Sequence, residues 1–464
     1  MIPTPKNVIE ELNKYIIGQQ DAKKAVAIAL STRERRRKLD PDMRREVMPK
    51  NIILIGPTGV GKTEIARRVA AMLDAPFVKV EATKFTEVGY VGRDVDSIIA
   101  ELAENTVSKV YEDKVREVEA SAERLATERL LGYVCQQLAK SADIANHARR
   151  KKQDRQAMAA ASGANTSRGN SKLTRQRVAR QLQNNELDDQ LIEIEVGEEE
   201  VSYYQESATD LDESRDEFTD AGQKPRPACT QKRRRKVSVK EARRILTREE
   251  AGKLIDYEHV IDTSLHEVEE NGVVFLDELD KLVAPRIDVG RDVSGEGVQR
   301  DLLPLVEGTT VMTRYGPVKT EHILFIAAGC FYQSKPSELI PELQGRFPLR
   351  VELSPLDEDD LVKILVEPKN SLTRQYKALL ATEGVTLEFT GDGLREIAKL
   401  AVAMNRRSDN IGARRLNTVV ERVLEEVNFS APDRNGETVV VDGQYVSRHT
   451  SDLVGNENLS RYIL

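Results

Sequence analysis

Gly56-Pro57-Thr58-Gly59-Val60-Gly61-Lys62-Thr63 is the stretch of sequence on which the prediction of the fold depends. It matches the pattern G-x-x-x-x-G-K-[ST]. It lies between an apolar, β-branched run at 51–55 and a segment with helical spacing from 62 to about 73. A run of this kind is typical of a strand buried on both faces of a parallel sheet. The order of strand, glycine-rich loop and helix predicts an α/β fold with a phosphate-binding loop.

Each residue type in the loop has a physical reason to be there. Glycines allow backbone N–H groups to approach phosphate oxygens, and the following helix adds the positive end of its dipole. Lys62 can reach the β- and γ-phosphates, and the Thr63 hydroxyl can bind Mg²⁺. The predicted ligands are therefore ATP and Mg²⁺. A glycine-rich turn with a chance Lys-Thr pair is the alternative, and the flanking strand and helix argue against it.

A second acidic motif follows another apolar run. Asp277 and Glu278 come directly after the predicted strand at 273–276. A carboxylate at this position can hold Mg²⁺, and the next one can orient and deprotonate the attacking water, so Asp277 is assigned to the metal and Glu278 to the water. A strand followed by Asp-Glu can also simply cap a helix. The presence of the phosphate-binding loop favours the catalytic interpretation.

The spacing between the two motifs predicts an inserted domain. More than 200 residues separate Thr63 from Asp277, and the composition changes over 110–258. Domains are inserted where the two ends of an exposed loop lie close together. The sequence predicts a discontinuous nucleotide-binding domain at 1–109 and 259–353, a mostly helical, partly flexible inserted domain at 110–258, and a smaller, mainly helical α+β domain at 354–464. The flexible part is expected at 158–171.

Composition limits the classes of protein. The chain has 464 residues and a formal net charge of −7, and 39% of its residues are hydrophobic. A net negative charge argues against a dedicated nucleic-acid binder. Neither a signal peptide nor a membrane-spanning run is visible, and three scattered cysteines fit a reducing compartment, so a cytoplasmic protein is expected. The five His residues are scattered, so no metal cage is predicted.

Other segments give weaker expectations. A helical stripe at 8–17 should end at Gly18, and Asp21 should cap the next helix. Residues 77–80 and 323–328 should be strands, and a long helix should begin near Asp94. Alternation at 192–196 predicts a half-exposed strand. The acidic run at 186–200 and the basic run at 232–236 are interpreted as solvated surface.

Four stretches resemble a known family. The segment 16–19 resembles the adenine-contacting entry of Clp-type AAA+ ATPases, and 80–93 is similar to the HslU (ClpY) family of the Clp/Hsp100 group. The long insertion and the terminal segment 458–464 are similar to that family too. The resemblance implies a P-loop AAA+ domain and an ATP-dependent unfoldase in a hexameric ring. Such a ring feeds and activates an HslV-type threonine peptidase in a two-component bacterial protease that serves in the stress response.

The resemblance also implies roles for residues, motif by motif. The implied catalytic residues are Lys62, Glu278 and Arg346, with Arg346 acting as an arginine finger in the neighbouring subunit. The implied pore loop is Gly89, Tyr90, Val91 and Gly92, in which the aromatic ring grips substrate polypeptide. The implied partner-docking residues are Leu459, Tyr462, Ile463 and Leu464. The implied nucleotide-binding residues are Ile17, Gly59, Val60, Gly61, Lys62, Thr63, Glu64, Asp277, Glu342 and Arg414, and Thr63 and Asp277 are the Mg²⁺ ligands.

Some alternatives stay open. Arg414 is preferred over Arg415 as the nucleotide contact from the C-terminal domain, but either side chain could lie on a solvated helix face. No polar sensor residue can be assigned after the strand at 323–328, because the chain continues Gly329-Cys330.

Two other function classes are weighed against the ATPase. A nucleic-acid motor would draw support only from the basic stretches at 149–152 and 232–236. A non-catalytic scaffold is the other alternative, and the presence of Lys62 and Glu278 argues against it, because only ATP hydrolysis requires them. No protease constellation is found in the sequence, so no intrinsic peptidase activity is expected.

Overall fold

A computed structural model of the chain describes residues 4–36, 38–47, 50–85, 93–153, 175–182, 184–197, 232–283, 295–407 and 410–450. The chain divides into two compact units. The first is formed by Met1–Ser108 with Ile261–Leu464, and the second by Lys109–Val260. Each unit has hydrophobic clusters of its own.

The helices and strands are numbered in chain order. The helices are α1 Pro5–Asn13, α2 Gln20–Arg36, α3 Pro41–Glu46, α4 Lys62–Leu73, α5 Ser97–Gln153, α6 Val239–Leu254, α7 Tyr257–Asn271, α8 Gly295–Glu307, α9 Pro341–Arg346, α10 Glu358–Val366, α11 Leu372–Ala381, α12 Gly391–Arg407, α13 Arg414–Ser430 and α14 Gly443–His449. The strands are β1 Ile52–Ile55, β2 Phe77–Glu81, β3 Leu191–Gly197, β4 Lys232–Ser238, β5 Val273–Asp277, β6 Thr310–Thr313, β7 Gly316–Lys319, β8 Leu324–Gly329, β9 Leu349–Glu352, β10 Thr386–Phe389 and β11 Thr438–Val441. Among the described residues, no helix has both the length and the apolar character needed to cross a membrane.

The predicted parallel sheet is confirmed. Five parallel strands lie in the order β2-β5-β8-β1-β9. On one face Ile52 and Leu54 pack in a cluster with residues of α1, α2 and α4. On the other face Ile53 packs in a cluster with residues of α5 and α8. The sheet is thus covered by helices on both faces, which is why its strands are apolar along their whole length. The structure has the α/β fold that the sequence predicts.

The strand order places the two chemical motifs at one edge of the sheet. β8 lies between β1, which leads into the phosphate-binding loop, and β5, which ends at Asp277. Parallel strands place their carboxyl ends together, and ligands of open α/β sheets bind there. The chain after β8, at Cys330, reaches the same edge. β9 was not predicted from the sequence, and it forms the sheet edge beside β1.

Two expectations about the N-terminal helices are wrong in detail. α1 ends at Asn13 rather than continuing to Gly18, although Ile16 is still buried, from a loop. The Ile16 carbonyl accepts a hydrogen bond from the Lys23 ammonium at 2.7 Å instead of continuing a helical ladder. α2 begins at Gln20, so Asp21 lies within the first turn rather than capping it. The turn between the helices uses positive φ angles at Gly18 and Gln19.

The C-terminal elements of the first unit have a hydrophobic cluster of their own. Helices α10 to α14 surround a two-stranded parallel pair, β10 with β11. The apolar face of α13 contributes several side chains to this cluster, among them Leu416, Val420 and Leu424. This is the mainly helical α+β arrangement that the sequence predicts for the end of the chain.

The second unit contains most of α5, a helical segment at 175–182, an antiparallel strand pair and α6. Ile192 and Ile194 are buried, as their alternation with Glu residues predicts. The interpretation of the basic run as solvated surface agrees with the exposed side chains at 234–236, but the run also forms strand β4 and pairs with β3, which was not predicted. Arg234 and Glu195 are cross-strand partners, 3.1 Å apart. Their side chains stay accessible to solvent, so the charged character does not prevent pairing.

Candidate functional site

The phosphate-binding loop joins β1 to α4. Gly59 and Gly61 have φ angles of +74° and +103°, a region that glycine reaches without steric cost. Lys62 is the first residue of α4, and its side chain is only 8% exposed. Its ammonium group donates to the carbonyl of Gly56 and, at 2.8 Å, to that of Pro57. The loop carbonyls therefore surround the Lys62 ammonium group, and the N-terminus of α4 lies beside it.

Thr63 and Asp277 are brought together at the edge of the sheet. The Thr63 hydroxyl donates to Asp277 Oδ2 at 3.3 Å. Lys79 of β2 forms an ion pair with the same oxygen at 3.0 Å. A hydroxyl and a carboxylate are the hard oxygen donors that Mg²⁺ prefers. These two side chains therefore fit a Mg²⁺ ion that is held mainly by nucleotide and water.

Glu278 has an unusual backbone. Its φ is +59°, in the left-handed region that residues with a side chain rarely adopt. Its backbone N–H donates to Asp277 Oδ1 at 3.2 Å, and its own side chain is exposed. Strain of this type concentrates at functional sites. Here it turns the chain sharply directly after Asp277, the last residue of β5, so that the chain from Glu278 onwards leaves the strand direction.

Cys330 is a site residue that sequence reasoning missed. Its sulfur lies 3.2 Å from the Thr58 hydroxyl and 3.7 Å from the Lys62 ammonium. The next residue, Phe331, has φ +51°, and its N–H donates to Asp280 at 3.4 Å. No polar sensor residue could be assigned after β8 from the sequence, since a thiol is a weak hydrogen-bonding group. The position of Cys330 at the carboxyl end of a central strand was the available signal.

A cleft of about 420 Å³ lies beside the loop. Its volume is within the range of small-molecule sites. Pro57 and Val60 of the phosphate-binding loop line one side, and Asn405 and Gly412 of the C-terminal elements line another. The cleft has both apolar and hydrogen-bonding walls, which suits a nucleoside.

The two neighbouring arginines at the start of α13 differ in environment. Arg414 is exposed, whereas Arg415 is 2% exposed, and its Nε donates to Asn405 Oδ1 at 3.3 Å. Arg415 thus serves the packing of the C-terminal elements. Arg414 remains accessible, and its contact with nucleotide remains a prediction.

The loop before α2 packs against the phosphate-binding loop. Ile16 is buried, and a Cβ on Gly61 would lie 3.8 Å from its Cγ2 atom. Lys23, 1% exposed, donates from its ammonium to Ile16 O and to Asn13 Oδ1, both at 2.7 Å. Burial lowers the pKa of Lys23 from 10.5 to about 8. The adjacent Ile17 is partly buried in the same loop.

The buried Lys23 leads to a prediction about pH. The lysine titrates near pH 8 when folded and near 10.5 when unfolded, so the unfolded chain binds more protons between these values. The stability of the wild type relative to Lys23→Met should therefore rise between pH 8 and 10.5, by roughly 1–3 kcal/mol. Urea unfolding at several pH values measures the difference. Lys24→Met, which alters an exposed neighbour, should show no such trend.

Comparison with known proteins identifies the family. Residues 52–130 match the model of the "ATPase family associated with various cellular activities (AAA)", and residues 160–350 match "AAA domain (Cdc48 subfamily)". The chain is 50% identical over 462 residues to the "ATP-dependent protease ATPase subunit HslU" of Persephonella marina, covering 99% of this chain and 98% of that protein. The chain belongs to the HslU family. It is therefore an ATPase that binds nucleotide.

Two further relatives support the family. The HslU of Thermotoga maritima is 50% identical over 473 residues, with 99% of this chain and 98% of that protein covered. The "ATP-dependent protease ATPase subunit ClpY" of Bacillus velezensis is 48% identical over 463 residues, with 99% of both chains covered. The relationship spans the whole chain, including the insertion.

Two predicted residues of this HslU-family ATPase lie away from the described cleft lining. Arg346 and Glu342 are exposed on the short helix α9. The Arg346 guanidinium forms an ion pair with Glu307, the last residue of α8, at 3.0 Å. Neither is among the described residues that line the cleft. Arg346 is exposed, and its role as an arginine finger, which the resemblance implies, stays a prediction.

Several predicted residues of the HslU-family chain lie outside the described residues. They are the pore-loop residues Gly89, Tyr90, Val91 and Gly92, the docking residues Leu459, Tyr462, Ile463 and Leu464, and the segment 158–171. Of the remaining nucleotide-binding predictions, Glu64 lies in the first turn of α4, where it forms ion pairs with Arg67 and, at 2.7 Å, with Arg68. Within the described ranges, no group of three or more His, Cys, Asp and Glu side chains could hold a metal ion.

Proposed function

We propose that this ATPase is the unfoldase and translocase of a two-component protease, and that it feeds and activates an HslV-type threonine peptidase. The observation that carries the proposal is the cluster of Lys62, Thr63, Asp277 and Glu278 at one sheet edge, in a chain related over its whole length to HslU proteins. The cluster supplies ATP hydrolysis. The names of the relatives indicate that the hydrolysis serves proteolysis.

Each residue of the cluster has a proposed role. Lys62 binds the β- and γ-phosphates, and Thr63 and Asp277 hold Mg²⁺, which neutralises charge on the phosphates when bound. Glu278 accepts a proton from the water that attacks the γ-phosphate. Arg346 of a neighbouring subunit stabilises the charge that develops in the transition state, and Arg414 links the nucleotide to the C-terminal elements. Glu342 is proposed to belong to the same nucleotide site at the subunit interface.

The ring and its partners are further parts of the proposal. A homo-oligomeric ring, six subunits by family resemblance, would bring Arg346 to a neighbouring nucleotide. Protein substrates would pass the pore loop at Tyr90, and the terminal segment with Leu459 and Leu464 would dock on the peptidase. The three-domain division at 109/110, 258/259 and 353/354 and a cytoplasmic location belong to the same proposal.

Peptidase activation tests the partnership. A purified HslV-type peptidase should cleave a small fluorogenic peptide faster when this protein and ATP are both present. Deleting 459–464 should abolish the stimulation while ATPase activity persists, because tail capture in a preformed groove is the expected binding mode. Intact ATPase activity without any stimulation by the full chain would contradict the partnership.

The pore loop gives a separate prediction. Tyr90→Ala should leave ATP hydrolysis within about twofold of the wild type, because the proposal assigns Tyr90 to substrate contact and no step of hydrolysis to it. Degradation of a folded substrate by the two-component protease should fall at least tenfold, since the aromatic grip on the polypeptide is lost. Degradation of a fluorescent folded protein measures this effect. Tyr257→Ala, which removes a partly exposed ring in α7, is the matched control. An unchanged degradation rate in Tyr90→Ala would exclude the pore role.

A further inference from the structure

The side chain of Gln19 forms a two-point contact with the chain that leads into the C-terminal elements. Its amide nitrogen donates to the Ser354 carbonyl at 2.8 Å, and its amide oxygen accepts from the Ser354 N–H at 3.0 Å. Both backbone groups of Ser354 are thus satisfied by one side chain that is 335 positions away in sequence. The pairing has the pattern of two strands, so it fixes orientation as well as distance.

Ser354 is located where the chain leaves the sheet. The preceding residue, Leu353, still extends the ladder, because its N–H donates to Ile55 O at 2.7 Å. The two residues that follow, Pro355 and Leu356, line the cleft beside the phosphate-binding loop. The direction in which the chain leaves Ser354 therefore affects both the cleft wall and the start of α10.

Gln19 adopts a costly backbone conformation to make this contact. Its φ is +54°, directly after Gly18 at +64°. Consecutive positive φ angles that include a residue with a long side chain persist only where the surroundings require them. A second tie lies at the other end of the same loop, where the Lys369 N–H donates to Lys14 O at 2.9 Å. The loop at 14–19 is thus joined at one end to the chain that follows α10 and at the other end to Ser354, which precedes α10.

The same loop contacts the nucleotide machinery. Ile16 packs beside Gly61 of the phosphate-binding loop, and Lys23 holds the Ile16 carbonyl. We propose that Gln19 is a positioning residue that makes nucleotide binding at the loop 16–19 and the placement of the chain from Ser354 onwards depend on each other. The inference rests on the ATP binding of the proposed function and on the adenine contact at 16–19 that the family resemblance implies, which places the adenine beside Ile17.

Nucleotide binding and hydrolysis test the coupling. Gln19→Leu removes both hydrogen bonds, so the Kd and KM for ATP should rise about five- to tenfold while kcat stays within about twofold. Gln19→Gly is a second variant, because glycine adopts the required φ freely and keeps the turn foldable. Gln20→Leu, at the exposed neighbouring position, should bind ATP as the wild type does.

A pH-dependent rescue separates positioning from general damage. Gln19→Glu places an ionised carboxylate against the Ser354 carbonyl, so at pH 8 its Kd for a fluorescent ADP should be as high as that of Gln19→Leu. A protonated Glu regains an O–H donor. The facing Ser354 carbonyl oxygen and the partial burial of position 19 disfavour the ionised carboxylate, so its pKa should lie well above the value of about 4.3 of a free Glu, and part of the variant should be protonated at pH 5.5. The Kd defect of Gln19→Glu should therefore shrink as the pH falls from 8 to 5.5, whereas that of Gln19→Leu should not.

Amide hydrogen exchange measures whether nucleotide binding affects the chain from Ser354 onwards. In the wild type, saturating nucleotide should slow amide exchange in 353–361, and Gln19→Leu should lose this protection even when saturated with nucleotide. Wild-type affinity together with wild-type protection in Gln19→Leu would overturn the proposal, as would a Gln19→Glu defect that does not change with pH. Ile17→Ala tests separately whether the adenine lies beside Ile17. If Ile17→Ala binds ATP as tightly as the wild type, the adenine placement is refuted. If Ile17→Ala binds ATP more weakly while Gln19→Leu keeps wild-type affinity, only the coupling is refuted.

Discussion

Replacing Glu278 with Gln is expected to reduce ATP hydrolysis by about 10²- to 10⁴-fold while ATP still binds. An amide cannot accept the proton of the attacking water, so the barrier to hydrolysis rises. Binding should persist because the phosphate-binding loop, Lys62 and the Thr63–Asp277 pair are unchanged. Release of inorganic phosphate measures hydrolysis, and a fluorescent ATP analogue measures binding on the same preparation.

The Glu278→Gln substitution should change the chemistry of the side chain without disturbing the fold. The Glu278 side chain is exposed, and the strained φ of +59° belongs to the backbone, so Gln fits the same space without a new clash. Glu296→Gln, on an exposed turn of α8 where Glu296 pairs with Arg300 at 2.7 Å, removes one carboxylate elsewhere and should leave turnover unchanged. Turnover of Glu278→Gln at the wild-type rate would show that another group activates the water.

The parts of the fold that were predicted correctly are those with a local physical cause. The helix at 62–73 was predicted with its observed bounds, because a phosphate-binding motif requires a helix directly after Gly61. The central strands were predicted because burial on both faces demands continuous apolar runs. The proximity of Thr63 and Asp277 follows from the same reasoning, since parallel strands place their carboxyl ends together.

The parts that were missed depend on tertiary contacts. β9 lies at a sheet edge and alternates two apolar residues with Arg350 and Glu352, but a run of four residues is too short to be distinguished from chance alternation. The basic strand β4 becomes a strand only because an acidic strand lies beside it. α1 ends at Asn13, and Ile16 is buried from the following loop, where its carbonyl accepts a hydrogen bond from Lys23 of α2; the apolar pattern of the segment does not predict this tertiary contact.

The site shows the same division. Consecutive residues on a helix point about 100° apart, so Arg414 and Arg415 face different surroundings, but the sequence could not indicate whether either of them is buried. The structure buries Arg415 against Asn405. Cys330 and Lys79 were missed because each acquires its position from a neighbouring strand rather than from its own segment.

Replacing Gly412 with Ala is expected to weaken ATP binding by about 30- to 100-fold. The substitution disturbs the contact between 411–413 and the phosphate-binding loop without changing any residue of that loop. A Cβ at this position would lie 2.5 Å from the Thr58 carbonyl oxygen and 2.9 Å from the backbone of Gly59. The φ of +58° adds strain for any residue with a side chain. The chain at 411–413 would have to withdraw from the phosphate-binding loop.

The withdrawal would break specific interactions. The Ala413 N–H donates to Gly59 O at 3.1 Å, and Asn405 donates to Gly412 O, also at 3.1 Å. Arg414 begins α13 immediately afterwards, so its backbone would move with this segment. Titration with a fluorescent ATP analogue gives the affinity, and urea unfolding shows whether the fold persists, with an expected loss of roughly 1–3 kcal/mol.

A glycine in open surroundings provides the control. Gly132 lies within α5, and a Cβ there would have no heavy atom within 4 Å. Gly132→Ala should be neutral or stabilise the protein by about 0.5–1 kcal/mol, because alanine favours a helix, and it should leave ATP affinity unchanged. If Gly412→Ala also keeps wild-type affinity, the contact between the two loops is dispensable for binding. A loss confined to Gly412→Ala would show that nucleotide binding requires the C-terminal elements to lie against the phosphate-binding loop.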